Sequence, residues 1–255
     1  MARAVLKDSL KKASELAMQL RRANNETSAL GLSIATSKCG SSKGNHDEEQ
    51  YINEQEFVNL TSQLMQNFTC DNLQVELPPL HGFGCINAPV FYASIYESDL
   101  IHACIFGFYR KGSDIPLHNH PGMHGFVKVI RGSAQVTSFS RLSAAEERSE
   151  RRKHLLCGFQ GQPVRYEGTQ IRTFEDECLH LSPTKGNIHR VVGLEDGAAF
   201  FDLLVPGYGD RPCTFYDVVP RDPAKSADGI CFVKEIPIPN FYFCETIPYN
   251  EIHEL

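Results

Sequence analysis

Residues Gly112–Gly132 read GSDIPLHNHPGMHGFVKVIRG, and the pair His118 and His120 within them sets the reading of the whole chain. On a strand, residues i and i+2 point to the same face, so both imidazoles can face one interior and share a metal ion. Pro116 and Pro121 bracket the pair, which places the ligands close to strand ends. Two neutral imidazoles from one rigid strand suit Fe, Zn, Cu or Ni. No Asp or Glu occurs between Asp114 and Glu146, so a site of two histidines and one carboxylate cannot be completed locally. By residue type alone the third ligand stays open among His189, His180 in the strand-like CLHLS, and His124, four residues past His120 across a Pro-Gly turn. His46, His154 and His253 lie in polar or terminal stretches and read as solvated, while His81 and His102 stand in no motif.

Around this segment the chain is punctuated by Gly, Pro, Asn and Asp into short β-rich runs at 73–77, 89–97, 101–109, 124–131, 133–140, 169–174, 178–182, 188–193, 198–205, 213–219, 230–236 and 241–245. Many short strands separated by turn signals predict a sandwich or barrel. Upstream the pattern differs. Residues 5–23 space Leu6, Leu10, Leu16 and Leu20 as a helix does, and 53–67 place Phe57, Leu60, Leu64 and Met65 on one helical face. The polar stretch 36–50, TSKCGSSKGNHDEEQ, reads as a flexible linker. Glu146–Lys153, EERSERRK, reads as a solvated loop or short helix between strands.

The balance of 25 Lys+Arg against 31 Asp+Glu gives a net charge of −6, which argues against a general nucleic-acid or membrane-surface binder. No apolar run is long enough to span a bilayer, and the N-terminus lacks a secretory core. The sequons at Asn25, Asn59 and Asn67 then carry no weight. The nine cysteines are scattered and odd in number, and no CxxC occurs; they read as reduced thiols of a cytoplasmic protein. Arg3, Lys7, Lys11, Lys12, Arg21 and Arg22 against only Asp8 and Glu15 form a basic amphipathic leader that leaves a mitochondrial or nuclear fraction open.

The spacing G-x5-H-x-H ending on His120, with Gly132 twelve residues on, resembles the first motif of the cupin superfamily, although His124 and Gly125 stand where that motif normally carries Glu. Residues 183–189, PTKGNIH, resemble the second motif and favour His189 over its rivals. More specifically, IPLHNHPGMHGFVKVIRG, GNIHRV, AAFFDLLVPGYGD (198–210) and CTFYDVV (213–219) resemble the cysteamine (2-aminoethanethiol) dioxygenase and plant cysteine oxidase family, in order and spacing, over roughly 55–245. The resemblance implies a mainly β fold, a cupin double-stranded β-helix (jelly-roll barrel) with N-terminal helices. It implies a helical and flexible extension over 1–50 and a thiol dioxygenase domain over 51–255. It also implies a cytosolic monomer that uses Fe(II) and O2 to convert cysteamine or the N-terminal cysteine of a protein to a sulfinic acid, in the manner of an oxygen sensor. His118, His120 and His189 are then the iron ligands, and Asp202 and Tyr208 orient the substrate.

Read from the residues alone, Asp202 in an apolar strand is a buried carboxylate that serves either an ion pair or a function, and Tyr208 after Pro206-Gly207 is equally a packing residue. Some members of the family join a Cys and a Tyr two residues apart by a thioether. Here Cys213 is followed by Phe215 and Tyr216, so no such crosslink is expected and Cys213 reads as a small buried apolar residue. Three neutral ligands leave the metal its full positive charge, which favours a thiolate. Thiolate and amine of one substrate can then fill two open positions and O2 a third. Two other readings stay open: a cupin metalloenzyme of other chemistry, and a cupin that binds or senses without turnover. A partner-binding role for residues 1–50 also stays open.

Overall fold

A computed structural model of the chain describes residues 2–29, 52–74, 88–154, 161–219, 229–249 and 252–255. The linker-like stretch 36–50, His46 and His81 lie outside the described residues. The two helical patterns form α1 (Ala2–Ala29) and α2 (Glu54–Met65). Asn53 caps α2, its side-chain oxygen accepting from the Glu56 N–H at 2.9 Å, which satisfies one of the amides a helix start leaves unpaired. A short α3 (Cys70–Leu73) follows. It corrects the expected strand 73–77, because Leu73 closes this helical turn with its side chain buried; positions 75–77 lie outside the described residues.

The strands are β1 (Val90–Glu97), β2 (His102–Phe108), β3 (Asp114–His118), β4 (His124–Arg131), β5 (Ser133–Arg141), β6 (Gln162–Thr173), β7 (Leu179–Leu181), β8 (Ile188–Gly193), β9 (Ala199–Val205), β10 (Phe215–Val219), β11 (Ile230–Ile236) and β12 (Cys244–Thr246). Between β5 and β6 the charged run EERSERRK lies within α4 (Ala144–His154). One sheet has the order β12-β1-β2-β9-β4-β7; the other runs β10-β11-β6-β5-β8-β3 and closes where β10 meets β3. The winding is a single long antiparallel hairpin with its turn between β5 and β6. Gln135 pairs with Ile171, Phe126 with His180, Ile115 with Val191 and Cys104 with Asp202. From β2 to β9 each arm of the hairpin alternates between the sheets, and this makes the double-stranded β-helix.

The alternation of β9 shows how the barrel is covered. All seven residues of AFFDLLV are buried, as expected for a strand shielded on both faces. Ala199, Phe201, Leu203 and Val205 point outward into an apolar cluster, while Phe200, Asp202 and Leu204 point into the barrel. The outer cluster takes Leu6, Leu10, Ala13, Ala17 and Leu20 from α1 and Phe57 and Met65 from α2. Spacings of three and four along α1 put those residues on one stripe. Among the described residues no helix is long and apolar enough to cross a membrane.

Candidate metal centre

His118 is the last residue of β3 and stands directly opposite His189 on β8. Their rings lie 4.5 Å apart at 78°. His120 falls two residues beyond the strand end rather than on the strand, which corrects the picture of one strand presenting both imidazoles. Its place is set instead by Asn187. The Asn187 side chain accepts from the His120 N–H at 3.0 Å and donates to the carbonyls of His120 at 2.8 Å, Ser182 at 3.2 Å and Met123 at 3.3 Å. Asn119, between the two histidines, faces the other way. It donates to the Tyr216 hydroxyl at 3.0 Å and accepts from the Thr214 N–H at 2.9 Å, anchoring the start of β10 to the ligand loop.

The three imidazoles are buried, and their ligand atoms lie within 4.8 Å of one another. Burial pushes the His118 pKa down to about 4 and those of His120 and His189 well below the ordinary range, so all three are neutral and present lone pairs. Nδ1 of His118 donates to the Pro116 carbonyl at 2.8 Å, which leaves its Nε2 bare, 3.2 Å from Nε2 of His120. Two nitrogens that close need a proton or a cation between them. The Tyr208 hydroxyl lies 2.8 Å from Nδ1 of His120, the outer contact that orients a metal-binding imidazole. Nδ1 of His189 is buried without a hydrogen-bond partner. A donor set of three neutral imidazoles fits a divalent transition metal.

These groups line a cavity of about 290 Å³ inside the barrel, with Tyr92, His102, Cys104, Phe106, Ile115, Phe200, Asp202, Leu204, Cys213, Phe215 and Tyr242. Among the described residues that line it, Asp202 is the only acidic one, and none is Arg or Lys. One Asp202 oxygen has no hydrogen-bond partner, and burial raises the carboxyl pKa to about 7. Tyr208 enters from the loop after β9. That loop passes so close to the β1–β2 turn that a Cβ on Gly207 would sit 2.2 Å from the Ser98 carbonyl oxygen, so only glycine fits there. A wider cleft of about 510 Å³ lies between the second half of α1 and the barrel end, lined by none of the three clustered histidines.

The remaining expectations divide. His124 and His180 pair with each other at 3.1 Å on the outer face, with Phe57 packed edge-on against His124; they do not join the cluster. Cys213 lines the cavity beside Tyr208, and its thiol is pushed up to about 11 by burial, so its reading as a small core residue is corrected. Tyr216 turns away to Asn119 while Phe215 faces the cavity, so Cys213 and Tyr216 lie on different sides of the wall. His102, which stands in no motif, is a cavity residue. Its position two before Cys104 and four before Phe106 on one alternating strand was the available signal.

Fold and histidine cluster together mark a cupin built to hold a metal ion. A family model described as PCO_ADO matches residues 62–252. Over 181 residues, 63% of this chain and 67% of the other, the protein is 30% identical to 2-aminoethanethiol dioxygenase of Homo sapiens. It is 31% identical over 161 residues to a probable 2-aminoethanethiol dioxygenase of Dictyostelium discoideum, covering 58% of this chain and 69% of that one. It is 26% identical over 152 residues to plant cysteine oxidase 1 of Arabidopsis thaliana, covering 55% and 45% respectively. Among solved structures, a cupin superfamily protein of Desulfitobacterium hafniense superposes with a TM-score of 0.31 at 13% identity, over 51% of this chain and 98% of that one. The chain belongs to the PCO_ADO family and is a thiol dioxygenase by that membership.

Proposed function

We propose that the protein is an iron(II)-dependent dioxygenase of amine-bearing thiols, with His118, His120 and His189 as its metal ligands. Bound there, iron(II) supplies the redox chemistry that lets O2 react with a thiolate. The reaction is RSH + O2 → RSO2⁻ + H⁺. Sulfur supplies four electrons, both oxygen atoms end on it, and no outside reductant is needed, which places the product at the sulfinate level of the thiol oxidation series.

The observation that carries the substrate assignment is the charge pattern of the cavity: among the described residues, one carboxylate, Asp202, and no Arg or Lys side chain. An ammonium group gives the buried Asp202 carboxylate the partner it lacks. A thiol carrying a free carboxylate finds no Arg or Lys to receive it. Cysteamine and an N-terminal cysteine, whose carboxyl is tied up in a peptide bond, share the amine and lack the acid; free cysteine does not. Tyr208 holds the His120 ring through Nδ1, and Phe106, Phe200 and Phe215 keep the site dry, so that Asp202 acts at low dielectric.

The test offers iron-loaded protein cysteamine, a Cys-initiating peptide and free cysteine in separate oxygen-electrode runs, with products weighed by mass spectrometry. The first two should gain two oxygen atoms and the third should be turned over far more slowly. His189→Ala should lose bound iron and oxygen uptake together. Absence of thiol-dependent uptake by the wild type, or retained uptake in His189→Ala, refutes the assignment.

A further inference from the structure

We infer that His102, with Glu97 behind it, is the route by which the proton released in each turnover leaves the cavity. The inference rests on the thiol dioxygenase reading above, since that reaction breaks one S–H bond and the O–O bond of O2, forms two bonds from sulfur to oxygen, and leaves one proton over. The proton appears in a chamber lined by buried side chains.

Few lining groups can take it. The three clustered histidines are committed through their lone pairs, and Asp202 faces the amine. Burial raises the thiols of Cys104 and Cys213 and the phenols of Tyr208 and Tyr242, so their neutral forms hold their protons tightly. The imidazole of His102 is the remaining lining group of a type that both takes and gives a proton near neutral pH.

Its placement links the cavity to the exposed rim of the barrel, since His102 and Glu97 sit opposite each other at the end of the β1–β2 ladder. His102 is the first residue of β2 and pairs with Glu97, the last residue of β1. The turn between them is tied by Ser98, whose N–H donates to the Ile101 carbonyl at 2.9 Å. Toward the cavity, Nε2 of His102 lies 3.2 Å from the Tyr92 hydroxyl, and the ring stands edge-on to Tyr208 at 5.8 Å. Toward the rim, Nδ1 is buried with no hydrogen-bond partner, 3.5 Å from a carboxylate oxygen of Glu97. The Glu97 side chain is 61% exposed. A separation of 3.5 Å is long for a hydrogen bond between neutral groups, and it closes when an imidazolium faces the carboxylate.

The step balances on these atoms. The neutral ring carries its hydrogen on Nδ1, accepts the product proton at Nε2 by way of the Tyr92 hydroxyl, and releases the Nδ1 proton to Glu97 and bulk water. A ring flip restores the starting tautomer. The titratable groups facing the ring are Tyr92 and Glu97 from β1 and Tyr208 from the loop after β9, while His120 feels its charge. Burial lowers the His102 pKa and outweighs the opposing pull of Glu97, so a proton taken up by the ring is readily passed on.

The experiment compares iron-loaded full-length wild type, His102→Ala, His102→Gln and Glu97→Gln in dilute non-proton-carrying buffer and with added imidazole. Positioned proton transfer contributes about 10²–10⁴-fold in rate, so both His102 variants should lose roughly tenfold or more in kcat. Imidazole should restore much of the His102→Ala loss, and the solvent deuterium isotope effect should grow while iron content stays at the wild-type level. Glu97→Gln, a surface change that spares folding, should show a smaller, buffer-dependent loss. In the metal-free protein its His102 should titrate at lower pH than the wild type by NMR. Wild-type kcat in the His102 variants, a loss that imidazole leaves untouched, or an unmoved His102 titration in Glu97→Gln overturns the proton route. A wild type that takes up no oxygen with any aminothiol overturns the dioxygenase reading itself, so the two failures are told apart.

Discussion

Asp202→Asn should make the metal-free protein more stable at alkaline pH while weakening its grip on an amine. The Asp202 carboxyl is 4% exposed, and burial lifts its pKa from 3.8 to about 7. A carboxyl raised in the folded state binds more protons there than in the unfolded chain. Folding stability is therefore unaffected below the unfolded value, falls as pH rises from about 4 to 7, and stays low above that. At 1.36 kcal/mol per tenfold change in the proton equilibrium, the full penalty is ~4 kcal/mol. Asn keeps the shape and cannot ionise. An unpaired amide in the same place costs about 1–3 kcal/mol at every pH, so the diagnostic quantity is the pH slope of the difference between the two proteins, not its absolute size. Urea unfolding of metal-free wild type and variant should show Asp202→Asn gaining of order 3–4 kcal/mol relative to wild type between pH 4 and pH 8. The KM for an aminothiol should rise in parallel. A stability difference that does not change with pH would refute the claim that Asp202 is held as a desolvated, unpartnered carboxyl.

Gly207→Ala should push the loop away from the Ser98 carbonyl, which its Cβ would approach to 2.2 Å, and so loosen the contact of Tyr208 with His120. Loss of such an outer contact costs about 10–100-fold in metal affinity or activity, and iron titration together with oxygen uptake at wild-type levels would show that the contact is dispensable. Leu10→Ala should cost about 2–5 kcal/mol of unfolding free energy, because Leu10 is 1% exposed in the cluster shared by α1 and the barrel. A loss below about 1 kcal/mol in denaturant titration would show that the site collapses around the gap or that α1 adds little to the core.

What the sequence discloses here is what local pattern carries. Short β-rich runs between turn residues mark β1, β2, β4, β5, β8 and β9 within a residue or two, and the leucine spacing marks α1 by the face it buries. The histidine cluster was legible only through motif resemblance: nothing local ties residue 189 to residue 118, and it takes the register of β3 against β8 to set them opposite. Asn187 escaped because its contribution is tertiary, four hydrogen bonds reaching across to the ligand loop, the 182 carbonyl and the 123 carbonyl. His102 escaped because a lone histidine in an apolar strand has the same local appearance whether its neighbour is a phenylalanine ring or a reaction chamber. Cys213 was misread for a related reason, since a small residue just ahead of a strand is as easily part of a cavity wall as of a core.

The strand that carries Asp202 explains how a chain tolerates such a group. Its outward neighbours Phe201 and Leu203 are fully buried against the helical layer, and Phe200 and Leu204 flank it on the inner face. Burying one large apolar side chain stabilises by about 1.5–3 kcal/mol, so two or three of these neighbours offset the ~4 kcal/mol that an ionised Asp202 costs. The carboxylate can then stay without a partner until a cationic ligand provides one. Placing it on a β-bridge rather than a loop also fixes it: Cys104 on one side and Val127 on the other hold Asp202 in register, so the fold cannot relieve the penalty by swinging the carboxylate into water. On the proposed reading, the discrimination between an amine and an acid is built into the register of β9, and an amine-bearing substrate would meet an electrostatic need that the barrel has already stabilised elsewhere.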